Sequence, residues 1–136
     1  MCPIELSVDG IEKLLRQIDR KKAPGPEGIP SLVIKTLSHE LAPLLLVFYR
    51  KSLDEGTVPT SWKKANVTPV PKKGRTLKPD DYRPISLTSI FCKIMEHIIA
   101  SSIMRFLSEK GAISQSQHGF RKGRSCETQL ALFIIR

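Results

Sequence analysis

Apolar residues recur with helical spacing near the start of the chain. Ile11, Leu14, Leu15 and Ile18 fall at i, i+3, i+4 and i+7, the stripe of an amphipathic helix over 8–20. Asp9 and Glu12 are spaced like a capping box, with Asp in place of the usual Ser or Thr. The helix must stop before Lys22-Ala-Pro-Gly-Pro-Glu-Gly28, whose prolines and glycines are incompatible with it. Pro30 suits a first helical turn and predicts a short helix over 30–37. A longer helix follows over 39–55, with Leu41, Leu44, Leu45 and Phe48 inward, an early and tolerated Pro43, and Gly56 as its stop.

The texture then changes. Ala65 to Lys72 is β-branched and punctuated by prolines, which predicts an edge strand, because proline cannot donate to a central ladder. A polar connector from Lys73 to Asp80 leads to a second short strand, Tyr82 to Leu87. Together they predict a β-hairpin with a long basic tip. Residues 89–109 are helical, with Ile90, Phe91, Ile94, Met95, Ile98, Ile103, Phe106 and Leu107 on a wide apolar face and Gly111 at the end. After a loop, Ser125 is placed to cap a last helix from Glu127. That helix is still running, on apolar residues, at Arg136, which predicts more chain beyond it. The fold class expected is α+β, mostly helical with a short antiparallel hairpin.

Composition adds bounds. The 136 residues are one domain or part of one, and 40% hydrophobic content is enough for a core. No apolar run approaches the ~18–20 residues of a membrane span, and the first residues do not read as a secretory signal. The cysteines, Cys2, Cys92 and Cys126, are odd in number and far apart, so reduced thiols are expected rather than a disulfide framework. His39, His97 and His118 have no metal-ligand spacing, and no metal site is expected in this chain. His97 is expected to be a boundary residue of its helix. Trp62, the sole tryptophan, is expected to pack rather than to stack on a base.

Charge changes the picture more. Residues 1–60 hold 8 Lys/Arg and 8 Asp/Glu, whereas residues 61–136 hold 14 and 5, which accounts for the whole net charge of +9. A bias confined to one half favours contact with a polyanion over a general solubilising surface.

Three segments could make that contact. The Lys22 loop is either a tight turn or a stiff loop offering Lys21 and Lys22 to a phosphate backbone. Lys72, Lys73, Arg75, Lys78 and Arg83 converge if the hairpin forms, as a triphosphate would require. They could equally guard an edge strand, although Arg83 lies inside its strand. Gly119-Phe-Arg-Lys-Gly-Arg-Ser125 precedes a helix and offers amides and cations to an anion, or is a solvated loop. It lacks the spacing of a P-loop. Asp80-Asp81 reads as turn chemistry, and no carboxylate pair is suited to metal catalysis.

Four stretches, in order, resemble the reverse transcriptases of non-LTR retrotransposons, the LINE elements of the Jockey-like kind. They are Lys22-Ala-Pro-Gly-Pro-Glu-Gly-Ile-Pro30; Gly56-Thr-Val-Pro-Thr-Ser-Trp62 with Pro71-Lys-Lys-Gly74; Tyr82-Arg-Pro-Ile-Ser-Leu87; and Gln117-His-Gly-Phe-Arg-Lys-Gly-Arg-Ser125. The resemblance runs from about residue 8 to the end. Glu27 departs from it, since the family usually has Asp there.

The resemblance implies that residues 1–136 are the fingers, with part of the palm edge, of a right-hand polymerase fold. It implies that Lys72 or Lys73 and Arg83 grip the triphosphate of an incoming deoxynucleotide. Lys22 and Arg121, Lys122 and Arg124 would run along template or primer–template backbone. The family's palm aspartates and their two Mg²⁺ would lie beyond Arg136, so this chain is expected to be non-catalytic alone. Partners implied are an RNA template, a DNA primer, deoxynucleoside triphosphate and the rest of the polymerase, with no membrane. The implied location is intracellular, nuclear within an active element. Two rivals remain: a stand-alone basic RNA-binding module, and a remnant without function.

Overall fold

The computed structural model describes residues 4–72 and 78–134. In chain order these form α1 (Val8–Arg16), α2 (Ser31–Thr36), α3 (Ser38–Glu55), a 3₁₀ turn (Thr60–Lys63), β1 (Ala65–Pro71), a second 3₁₀ turn (Pro79–Asp81), β2 (Tyr82–Thr88), α4 (Ile90–Glu109) and α5 (Cys126–Ile134). The mixture of helices with one two-stranded antiparallel sheet is the α+β class expected. The chain divides into two compact units, one of residues 4–99 and one containing residues 100–134.

The first unit holds a core of Ile11 and Leu15 from α1, Ile34 from α2, Ala42, Leu45 and Tyr49 from α3, and Ile90, Ile94 and Met95 from α4. Leu14 and Ile18 pack against its edge, so the predicted stripe of α1 is the face that packs. The ends of α1 differ from expectation. Its N-cap is Ser7, whose Oγ accepts from the Gly10 amide at 3.1 Å; the cap thus lies two residues before Asp9, the position the capping-box spacing suggests. Serine is a strong cap, and Asp9 instead lies in the first turn, favourable to the helix dipole. The helix ends at Arg16 rather than 20. Asp19 explains this: its Oδ1 accepts from the Lys21 amide at 2.9 Å and its carbonyl accepts from the Lys22 amide at 3.2 Å. That local turn competes with helical hydrogen bonding.

Helices α2 and α3 meet at Leu37 alone. The buried face of α3 is Ser38, Ala42, Leu45, Tyr49 and Ser52. Leu44 and Phe48, expected inside, are 59% and 57% exposed. Every residue from Leu44 to Tyr49 is apolar or aromatic, so periodicity could not choose a face and the packed neighbours did. Pro43 falls in the second turn, deeper than the first turn where proline removes no helical hydrogen bond. Gly56, at φ 63°, closes the helix in the left-handed conformation that favours glycine.

The strands pair from Ala65 with Thr88 to Pro71 with Tyr82, and Pro69 faces Pro84 across the ribbon. A two-stranded ribbon has only edges, which is why its strands accommodate Pro69, Pro71 and Pro84. Trp62 packs edge-on against Tyr49, with ring centroids 5.7 Å apart and planes at 68°. This is the packing role expected of it, at the point where the chain leaves the core for β1.

In the second unit, the end of α4 is a Schellman turn. The Ala112 amide donates to the Leu107 carbonyl at 3.0 Å and the Gly111 amide to Ser108 at 3.1 Å. Helix α5 begins at Cys126 and is capped by Ser125 as predicted, its Oγ accepting from the Thr128 amide at 3.2 Å. Among the described residues no helix is long and apolar enough to cross a membrane.

Candidate nucleic-acid interface

The loop of residues 22–31 is braced at several points. The Ser31 hydroxyl, itself buried, donates to the Lys22 carbonyl at 3.0 Å. Lys35 donates to the Ile18 carbonyl at 3.2 Å. Gly25 is buried against the junction of β2 and α4, so close that a Cβ there would lie 2.8 Å from the Thr88 carbonyl oxygen and 2.9 Å from the Ser89 Cα. Glu27 completes the brace. Its Oε1 accepts from the Ile90 amide at 2.9 Å and from the Ser89 hydroxyl at 3.4 Å. A carboxylate at the start of α4 satisfies an orphan amide and complements the helix dipole. Both alternatives for this loop therefore have a physical footing. Its backbone is a structural latch, and the Lys22 side chain is exposed on that latch. The loop is held by Gly25, Glu27 and Ser31 together with the Lys22 backbone, not by the Lys22 side chain.

The latch fixes the root of the hairpin. In its register Val70 stands opposite Arg83, and the ladder continues one step further, where the Lys72 amide donates to the Asp81 carbonyl at 2.7 Å. With side chains alternating along each strand, Lys72 and Arg83 belong to the same face of the ribbon. The Lys72 ammonium donates to the Asp80 carbonyl at 2.6 Å. The Asp81 carboxylate accepts from the Lys78 amide at 3.0 Å, the turn chemistry expected of the aspartate pair. Lys73 and Arg75 lie outside the described residues.

The third basic segment belongs to the second unit, and its organising residue is His118. Its ring is almost fully buried, with Nδ1 2.7 Å from the Thr128 hydroxyl and Nε2 3.2 Å from Arg124 Nη1. The Thr128 hydroxyl donates to the Ser125 carbonyl at 2.9 Å. It therefore accepts from His118 Nδ1–H, which leaves Nε2 as the acceptor for Arg124. Arg124 also donates to Gln115 Oε1 at 3.4 Å, and Arg121 donates to the Ser114 carbonyl at 3.2 Å. Both arginines thus shape the loop while keeping further N–H donors, and Lys122 is exposed. The loop forces Phe120 to φ 57° and leaves its ring fully exposed. Sequence reasoning finds these cations but not the parts played by His118 and Phe120, which depend on a tertiary turn.

Among the described residues, one phenol and one thiol are shifted. Burial, then the neighbouring Cys92, pushes the Tyr49 phenol far above its usual range. Burial, then the Glu96 charge and hydrogen bond, raises the Cys92 thiol, keeping it protonated. Among the described residues no three His, Cys, Asp or Glu side chains come together as metal ligands.

No protein-family model matches the chain. It is 30% identical over 126 residues to the RNA-directed DNA polymerase from mobile element jockey of Drosophila melanogaster, covering 92% of this chain and 14% of that protein. It is 29% identical, with the same coverage, to the probable RNA-directed DNA polymerase from transposon BS of the same fly. A further 29% match, to the probable RNA-directed DNA polymerase from transposon X-element, covers 88% of this chain and 13% of that protein. The chain thus spans about one seventh of the length of these relatives. Over that stretch, the chain belongs with the reverse transcriptases of Jockey-like non-LTR retrotransposons.

Proposed function

We propose that this chain supplies the fingers of an RNA-directed DNA polymerase, with part of the palm edge, and there contacts the incoming nucleotide and the template. The observation that carries this is the hairpin, which puts Lys72 and Arg83 on one face of an exposed ribbon rooted in the core. In that role the two cations neutralise triphosphate oxygens and orient the α-phosphorus, a positioning and electrostatic contribution. Arginine adds bidentate geometry that lysine cannot. Lys22, Arg121, Lys122 and Arg124 hold template or primer–template phosphates. The chemical step belongs to palm carboxylates and two Mg²⁺ elsewhere in a complete polymerase, and this chain alone is inactive. Its partners are RNA template, DNA primer, deoxynucleoside triphosphate and the rest of that polymerase. Its place of action is intracellular, and the nucleus when it is part of an active element.

In a complete polymerase containing this segment, Arg83→Ala is expected to raise KM for deoxynucleotides by about tenfold, the loss of one charge-assisted hydrogen-bonding partner. Steady-state primer extension reads this directly. An unchanged KM with weakened template affinity would move Arg83 from nucleotide to nucleic acid. Alanine at Arg121, Lys122 and Arg124 together is expected to flatten the salt dependence of RNA binding, by about 0.7–0.9 in log–log slope for each phosphate no longer neutralised. An unchanged slope in a filter-binding series would place that loop away from nucleic acid.

A further inference from the structure

The end of α1, the Lys22 loop, the end of β2 and the first half of α4 enclose an open groove of about 460 Å³. That lies within the roughly 300–1,000 Å³ of sites that hold single small molecules. The groove exists for reasons given above. Asp19 turns the chain out of α1, and Gly25 and Glu27 draw the loop onto the start of α4. Its floor is aliphatic, from Leu14, Ile18, Leu87, Ile90 and Ile94. Its polar lining is Gln17, Lys22, Lys93 and His97, with no carboxylate among the lining residues. An apolar floor with a purely cationic and neutral rim matches a ligand that has a flat apolar face and an anionic chain. A single-stranded nucleotide has both, its base for the floor and its phosphates for the rim.

Resting on the template contact proposed for Lys22, we propose that this groove seats one unpaired base of single-stranded RNA, with the flanking phosphates held by Lys22 and Lys93. Lys93 carries no role in the motifs read from the sequence. It reaches the site because it stands one helical turn before His97 on α4, beside Ile90 and Ile94.

The test is fluorescence anisotropy of the 136-residue chain with a fluorescein-labelled single-stranded RNA of twelve nucleotides, titrated across a salt series. Lys93 is exposed, so Lys93→Glu should keep the wild-type circular dichroism melt. It is expected to weaken binding roughly tenfold and to lower the salt slope by about 0.7. Lys51→Glu, an exposed lysine elsewhere on α3, changes the net charge equally and is expected to do much less. A matched oligonucleotide without bases is expected to bind about tenfold more weakly than the RNA, since it cannot cover the floor; this comparison needs no variant. Equal losses for Lys93→Glu and Lys51→Glu, or equal affinity with and without bases, would overturn the groove while leaving the template contact of Lys22 standing. Binding of an acidic amphipathic peptide at the groove, abolished by Lys93→Glu while RNA is indifferent, would assign it to a protein partner and also overturn the proposal. Absence of any salt-dependent RNA binding would remove the template contact and the groove together.

Discussion

Tyr49→Ala is expected to lower the unfolding free energy by about 3–5 kcal/mol, the range for deleting a buried aromatic side chain. Tyr49 has no exposed surface, and it ties three segments together. It rises from α3, its hydroxyl donates to the Phe91 carbonyl of α4 at 2.8 Å, and its ring receives Trp62 before β1. Tyr49→Phe keeps the ring and loses only the hydrogen bond, at a cost of about 1–3 kcal/mol for the carbonyl left behind. The two variants therefore separate packing from hydrogen bonding. Urea unfolding followed by Trp62 fluorescence reads both, with the single tryptophan next to the mutated site. The raised phenol range adds a pH dependence. The folded state favours the neutral phenol, so the stabilisation is complete below the ordinary tyrosine value of about 10 and is lost as pH rises above it. Tyr49→Phe should remove this part of the alkaline loss. Equal alkaline sensitivity of wild type and Tyr49→Phe would contradict the burial of the hydroxyl.

Gly25→Ala is expected to cost about 1–3 kcal/mol, as for overpacking in a filled interior. The new methyl would meet backbone on the β2–α4 side, where Thr88 and Ser89 cannot swing aside as a long side chain can. Glu27→Ala on its own should cost about 0.5–2 kcal/mol, the loss of a helix cap. Glu27→Gln, which keeps an acceptor for the Ile90 amide, should cost less. The two sites share one junction, so the double variant should show non-additivity. Thermal melts of the four proteins check this. A neutral Gly25→Ala would mean that the loop does not sit against the junction.

How much of the fold is legible in the sequence depends on the range of the signal. The Gly56 and Gly111 stops and the Ser125 cap are set by residues within a few positions of one another, and the hairpin by two neighbouring β-branched, proline-punctuated runs; each is predicted. So is the packing of Trp62, carried by its size and apolarity. The face of α3 is not, because Leu44 to Tyr49 offers apolar or aromatic residues on every side, and only the packed neighbours decide between them. The end of α1 falls earlier than its apolar spacing predicts because Asp19 is a turn former rather than one more helical residue. In the sequence, Glu27 stands out only as a departure from a motif. It acts 63 residues away, at the Ile90 amide, and no local pattern reports a contact of that range. The cations of the third loop are visible, but the part played by the buried His118, which bonds Arg124 and Thr128, is not.

The central assignment places nucleotide at the hairpin and RNA at the loop of residues 118–125. Photo-cross-linking on a complete polymerase containing this segment tests it most directly, using an azido-deoxynucleotide and a template carrying 4-thiouridine, with the adducts mapped by mass spectrometry. The nucleotide probe should label peptides containing Lys72 or Arg83, and the template probe should label the peptide around Phe120. Labelling of neither segment by either probe, with adducts confined to other parts of the polymerase, would contradict the assignment.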